Sequence, residues 1–245
     1  MSDSQDAGRE RALAAGLRVV HDRMDRACAV AGRDPAELTL VVVTKFFPAS
    51  DVAALVRLGV GDIGENRDQE AAAKVGQLPD LLGSAPLPRV HFIGQLQTNK
   101  AGSVAAYADL VHSVDRLKLA RALDRAAAHR GRVLDILLQV NLDADDMSAQ
   151  GRGGLDAATF ERTVQELDAL EHLRVRGVMG VAPLRGDPCV AFARLARLGR
   201  RLRESHPGAD VVSAGMSGDL EAAIGAGATH LRVGSAILGS RPTRG

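Results

Sequence analysis

The sequence predicts a single (β/α)8 barrel of the TIM type, preceded by an extra N-terminal helix. β-branched apolar runs alternate with amphipathic helical stretches eight times within about 200 residues. The first run, LTLVVVTK, is apolar on both faces, as a strand in a parallel sheet covered on both sides must be. No GxGxxG follows it, which favours the barrel over the doubly wound open sheet that the same alternation would allow.

The elements follow in order. From Gln5 to Gly32, Leu13, Leu17, Val20, Met24 and Ala27 fall three or four apart, the spacing of one helical face. The first strand is read over Leu38–Lys45, and Pro48 and Ser50 then announce a turn and a helix start. Strand Asp62–Glu65 precedes a helix over Arg67–Val75, strand Arg89–Gly94 a helix over Asn99–Tyr107, and strand Leu110–Val114 the helix DRLKLARALDRAAAH. Strand Val133–Asn141 runs into a polar, Gly-rich loop from Asp143 to Gly154, the segment expected to be most mobile. Helix 156–169, strand LRVRGVMGV, helix 188–204, strand VVSAG, helix 219–225 and strand HLRVGSAIL complete the alternation. Residues 1–34 are thus expected to pack on a barrel formed by 35–245, one domain overall, since no linker or low-complexity stretch divides the chain.

Composition narrows the function. Lys and Arg total 31 against 30 Asp and Glu, a net charge of +1, which removes the broad attraction that would make nucleic acid or anionic lipid a default partner. With no Trp and one Tyr, Tyr107, stacking platforms for single strands are hard to build, and only one phenol is available as an acid or base. Cys28 and Cys189 form no CxxC and imply no disulfide framework, as in a reducing compartment. The start, MSDSQDAGRERAL, lacks the apolar stretch of a secretory signal, and no run approaches a membrane span, so a cytoplasmic protein is expected. There is no HxxxH, HExxH or Cys/His cluster, and no metal site is expected.

In a barrel the site lies where the strands end at their C-terminal side. Lys45 closes an apolar strand there, in phase with Thr39, Val41 and Val43. A lysine partly desolvated at the barrel mouth becomes a nucleophile for a carbonyl; the plainer reading is a lysine that leaves the strand into solvent, and position alone does not separate the two. GENRDQE opens the helix after the second strand, so Glu65 and Asn66 have capping as their ordinary role, with a ligand contact from Asn66 as the functional one. HFIGQLQTNK gathers His91, Gln95, Gln97, Asn99 and Lys100 around the third strand end. SAGMSGDLEAAI and HLRVGSAILG expose backbone N–H groups beside Ser217, Gly218, Gly234 and Ser235, after the strands where barrels often bind phosphate. Ser217 also suits an N-cap, with Asp219 and Glu221 complementing the helix dipole. Arg232 shares a face with Gly234, and a guanidinium turned inward there has to meet an anion or an acceptor. A carbonyl-reactive lysine and a phosphate cradle together describe a ligand with an aldehyde and a phosphate: pyridoxal 5′-phosphate or certain sugar phosphates.

VVVTKFFPASDV, GENRDQE, HFIGQLQTNK, GMSGDLEAAI and RVGSAILG resemble, in order and spacing, the YggS/PROSC family of pyridoxal phosphate homeostasis proteins, from Leu38 to Gly239. The resemblance implies an alanine racemase-like barrel, PLP fold type III, that holds the cofactor as a Schiff base. It implies that Lys45 is the Schiff-base lysine, that Ser217, Gly234 and Ser235 meet the phosphate with Met216 beside them, that Arg232 lies near the ring nitrogen or phosphate edge, and that Asn66 and His91 line the pocket. Phe47, after Phe46, stands where many relatives carry a second lysine, so a transfer step relying on that lysine has no counterpart here. NLDADDMSAQGRGG is longer and more acidic than the usual loop.

Two classes of function fit: a carrier that holds pyridoxal phosphate and delivers it to apoenzymes, and an enzyme that uses it on amino acids. Racemases of this fold take an opposing tyrosine from a C-terminal β domain of the partner subunit, whereas this sequence ends soon after its eighth strand and places Tyr107 in or beside a helix. A monomeric carrier without catalytic residues is therefore expected. A Schiff-base aldolase of a sugar phosphate would use the same lysine and cradle, but such enzymes usually place their lysine on a later strand.

Overall fold

A computed structural model of the chain describes residues 2–143 and 153–240. Helix α1 (Ser2–Ala31) leads into β1 (Thr39–Val43), after which strands and helices alternate: α2 (Ala49–Arg57), β2 (Asp62–Glu65), α3 (Asp68–Leu82), β3 (Arg89–Phe92), α4 (Ala101–Tyr107), β4 (Leu110–Val114), α5 (Leu117–Ala128) and β5 (Leu134–Gln139). The second half continues with α6 (Ala157–Leu167), β6 (Leu173–Met179), α7 (Pro188–Ser205), β7 (Val211–Ser213), α8 (Leu220–Gly225), β8 (His230–Val233) and α9 (Ser235–Leu238). The eight strands are parallel and closed into a barrel in sequence order, β8 pairing with β1 through Val41 and Arg232. This is the (β/α)8 architecture expected, with the extra helix at the N-terminus.

Alternate residues of each strand divide between two cores. Val42, Ile63, Val90, Val111, Ile136 and Val178 belong to the large apolar layer between barrel and helices. Leu110, Leu137, Met179 and Val211 form a second, smaller cluster inside the barrel on its β4–β7 side. On the β1 side Val41 and Val43 also face inward, and polar groups share the interior: His91, His112, Ser213 and Arg232 are all buried there. Strand β6 reaches both cores through a bulge. Val175 pairs with Ile136 but Gly177, not Arg176, pairs with Leu137, so one extra residue is inserted and the side-chain phase inverts.

Several boundaries differ from those read in the sequence, each for a local reason. The first strand ends at Val43 rather than Lys45, because Phe46 takes the left-handed conformation (φ 72°) and turns the chain. The eighth ends at Val233, and Ser235–Leu238, expected to prolong it, forms α9 instead. There α1 comes so close that a Cβ at Gly16 would lie 2.7 Å from the Ile237 carbonyl oxygen, so this helical glycine serves close approach. Helix α3 extends to Leu82 through Pro79, beyond the expected end at Val75. The loop expected to be mobile lies mostly outside the described residues, apart from Asp143 and Gly153–Gly154.

Candidate functional site

The C-terminal mouth is built from the turns after β1, β2, β7 and β8. On β1, Val41 and Val43 point into the barrel: a Cβ at Gly64 on β2 would meet their methyl groups at 3.2 and 3.3 Å. Lys45 is two residues further, in the turn that follows β1, partly buried, with Nζ 5.9 Å from the centre of the Phe46 ring. Arg67 covers that ring as well, its Cζ 5.1 Å from the ring centre.

The turn carrying Lys45 is clamped on both sides. Thr44 is fully buried; its hydroxyl donates to Glu65 Oε1 at 2.6 Å, while its carbonyl accepts from Lys74 Nζ at 2.8 Å. Lys74 donates also to Glu65 Oε1 at 2.6 Å and to Glu70 Oε1 at 3.3 Å, and Glu70 accepts the backbone N–H of Phe46. An α3 lysine and carboxylates from β2 and α3 thus grip the residues immediately before and after Lys45. Burial raises the Glu65 carboxyl above its ordinary range, against the opposing effects of Lys74 and Thr44. Capping does not describe this acid: Glu65 ends β2, and the N-cap of α3 is Arg67, without a side-chain cap bond. In the sequence Lys74 reads as one more helical cation.

Across the mouth, the Ser235 hydroxyl donates to that of Ser217 at 3.2 Å, joining the turns after β7 and β8. The Ser217 carbonyl accepts from Arg23 of α1 at 2.9 Å, and Arg23 is paired with Glu221 at 2.7 Å, so the N-terminal helix steadies this turn. Asp219, rather than Ser217, is the N-cap of α8, and its carboxylate accepts from the Met216 N–H at 2.6 Å. The Met216 side chain is exposed. Gly234 lies against β1, where a Cβ would stand 3.1 Å from the Val43 carbonyl oxygen, so Lys45 and Ser235 emerge from adjacent strand ends.

Arg232 turns inward and finds acceptors rather than an anion: Nη1 donates to Ser213 Oγ at 2.6 Å and Nη2 to the Gly180 carbonyl at 2.9 Å. Burial lowers its pKa to about 10, which leaves it a cation at neutral pH. Asn66 packs on Gly94, where a Cβ would stand 2.0 Å from its carbonyl oxygen, and it edges a cleft of about 600 Å³ shared with Glu70, Gln95, Gln97 and Lys100. His91 is completely buried within β3, its ring nitrogens held by Asp62 and His112. Tyr107 donates to Asp68 at 3.4 Å; burial and that carboxylate raise its phenol, so it is a poor base where it stands. Among the described residues, no group of three or more His, Cys, Asp or Glu could hold a metal ion, and no helix is long and apolar enough to cross a membrane.

The interior histidines make stability depend on pH. Burial holds His230 at about 4 and His112 well below its ordinary value, so between about pH 6.5 and 4 the unfolded chain binds the additional protons. Their contribution is complete above about pH 6.5 and drains as pH falls, by about 1.4 kcal/mol per pH unit for each histidine. Urea unfolding at neutral pH and at pH about 5 checks this: the midpoint is expected to fall steeply, and His230→Asn to flatten the fall.

A closed parallel barrel with a lysine after β1 and paired hydroxyls after β7 and β8 defines a class of cofactor-holding barrels. The family model for the alanine racemase N-terminal domain matches residues 18–242. A pyridoxal phosphate homeostasis protein of Mycobacterium tuberculosis is 44% identical, over 96% of this chain and 95% of its own. Among solved structures, an unknown protein from Bifidobacterium adolescentis superposes with a TM-score of 0.85 at 33% identity, covering 94% of this chain and 96% of that one. PipY of Synechococcus elongatus, solved with PLP bound, superposes with a TM-score of 0.74 at 32% identity, covering 88% of this chain and 99% of that one. The chain belongs to the pyridoxal phosphate homeostasis protein family.

Proposed function

We infer that this protein binds pyridoxal 5′-phosphate through Lys45 and takes part in holding and delivering the cofactor in the cytoplasm, as a monomer. The observation that carries the reading is that a clamped lysine just after β1 emerges beside the strand end carrying the Ser235–Ser217 hydroxyl pair, with Gly234 letting β8 approach Val43 of β1 closely. The donor set suits the group: an amine for an aldehyde, hydroxyls and backbone N–H groups for a phosphate, and a buried guanidinium behind them. Bound there, the cofactor would supply an electrophilic aldehyde carbon, and the Lys45 amine would be the group that holds it. Ser217, Gly218, Gly234 and Ser235 would hold the phosphate, Met216 would lie beside them, and Arg232 would face the ring or the phosphate edge. Asn66 would border the pocket, and His91 would act from beneath it. The similarity to homeostasis proteins and to PLP-bound PipY supports the same cofactor here.

Delivery to apoenzymes, rather than turnover of amino acids, is the reading favoured by the state of the one tyrosine. A two-base racemisation needs a second proton-transfer group opposite the lysine, and Tyr107 is occupied with Asp68. Robust amino-acid racemisation by the purified protein would overturn this part of the reading.

The test of binding is the visible spectrum of purified protein with added pyridoxal phosphate. A band near about 420 nm is expected, bleached by borohydride and missing from Lys45→Ala. A folded protein without the band would bring a sugar phosphate to the front as the ligand. Recovery of the band in Lys45→Ala would move attachment to another amine.

A further inference from the structure

Arg232 is one end of a hydrogen-bond chain that crosses the barrel interior. Ser213 Oγ, which accepts from Arg232, lies 3.0 Å from His112 Nδ1; His112 Nε2 lies 2.9 Å from His91 Nδ1; and His91 Nε2 lies 2.8 Å from Asp62 Oδ1. Asp62 stands at the first residue of β2, toward the N-terminal mouth, whereas Gly180, the other acceptor of Arg232, follows β6 at the C-terminal end. His91, His112 and Ser213 are fully buried or nearly so.

We propose that Asp62, His91, His112 and Ser213 act as one directional chain that positions the Arg232 guanidinium at the cofactor mouth, with both histidines neutral and protonated on Nε2. The direction follows from the two ends. An ionised carboxylate only accepts, so His91 Nε2 carries the proton it gives to Asp62, and neutral His91 then offers Nδ1 as an acceptor. His112 must fill that acceptor with Nε2–H, which leaves its own Nδ1 free to take the Ser213 hydroxyl proton. Ser213 oxygen is thereby open to Arg232, which has only donors. Each proton has one acceptor and none is shared.

The reversed chain fails. If His112 donated from Nδ1 to Ser213, His91 would have to donate from both nitrogens and become a cation. The Ser213 proton would then have two donors facing it and no acceptor among these groups. A second buried cation would also stand in an interior that already holds Arg232, with His230 6.1 Å from the His91 ring. The other charged groups near the chain are Arg89 beside Asp62, Asp210 beside His230, and Asp219 near Arg232. Burial is the largest single effect on the Asp62 carboxyl and raises it, but the His91 hydrogen bond and the neighbouring basic groups together bring the net shift downward, in keeping with an ionised acceptor at the end of the chain.

The assignment of tautomers stands on this geometry alone; the positioning role rests on the cofactor reading above. The experiment has one arm for each. Nitrogen NMR of the histidine rings in cofactor-free protein is expected to show both His91 and His112 neutral and Nε2-protonated at neutral pH. An Nδ1-protonated His112, or an imidazolium at either position, overturns the chain. Ser213→Ala is expected to shift the His112 Nδ1 signal and to weaken pyridoxal phosphate binding about tenfold, with Ser213→Thr restoring both. Unchanged ring signals and unchanged affinity in Ser213→Ala overturn the positioning role. A folded wild-type protein that takes up no pyridoxal phosphate overturns the functional reading instead, and the ring signals then decide the chain by themselves.

Discussion

Lys74→Met is expected to destabilise the fold by about 3–5 kcal/mol, because it strands the buried Glu65 carboxylate. Both partners are nearly inaccessible, at 5% and 0% side-chain exposure, so water cannot replace the lost ammonium. Glu65 already leaves Oε2 without a hydrogen-bond partner, and after the substitution it would keep only the Thr44 hydroxyl. The loss should therefore exceed that of an exposed pair such as Arg121–Glu166, for which about 0–1 kcal/mol is usual. Urea unfolding of both variants checks the contrast. The double change Glu65→Leu with Lys74→Met should recover much of the stability, since an apolar pair needs no compensation. It should not recover cofactor binding, because the Thr44 carbonyl keeps only the Phe47 N–H and the Thr44 hydroxyl loses its acceptor, so the turn bearing Lys45 loses two of its grips. A loss below about 1 kcal/mol in Lys74→Met would mean that solvent reaches the clamp.

Gly177→Ala is expected to cost about 4 kcal/mol, seen as a fall of about 10 °C in Tm, or to prevent accumulation of folded protein. Two effects add. The backbone there has φ 147°, a conformation that L side chains rarely adopt, and a Cβ would stand 1.8 Å from the Val211 carbonyl oxygen of the neighbouring strand. That atom is backbone within the barrel, so relief requires β6 and β7 to separate. The bulge at this point turns Met179 inward to meet Leu110, Leu137 and Val211. Separation would also displace Gly180, whose carbonyl holds Arg232, so residual folded protein should bind pyridoxal phosphate weakly. Gly76→Ala, in α3 and with nothing within 4 Å of a Cβ, serves as the control and should be neutral or slightly stabilising.

The two predictions rest on features of different legibility. The alternation of strands and helices is local in the chain, so hydrophobic period exposed it from Leu38 onward. Lys45 stood out because a lone cation ends an apolar strand, and the serine and glycine runs after the last two strands stood out because barrels place ligands there. The clamp was hidden: Glu65 looked like a cap, and Lys74 lies 30 residues from the Thr44 carbonyl it holds. The interior chain was hidden in the same way. His91 drew notice, but His112, Ser213 and Asp62 read as ordinary strand residues, and the Ser213–His112 contact spans 101 positions.

What the sequence determined by itself is what depends on near neighbours: the order of elements, the barrel they close into, and which strand ends carry chemical groups. Period and turn chemistry act over a few residues and need no knowledge of the opposite strand. The tertiary structure alone decided phase and partnership. One inserted residue in β6 inverts which side chains face inward, and α9 forms where strand was expected because α1 packs against that segment. Most of all, it decided the direction of the protons between Asp62 and Arg232. A buried hydrogen bond is specified only when donor and acceptor meet within about 3 Å, and closing the barrel is what brings these groups together.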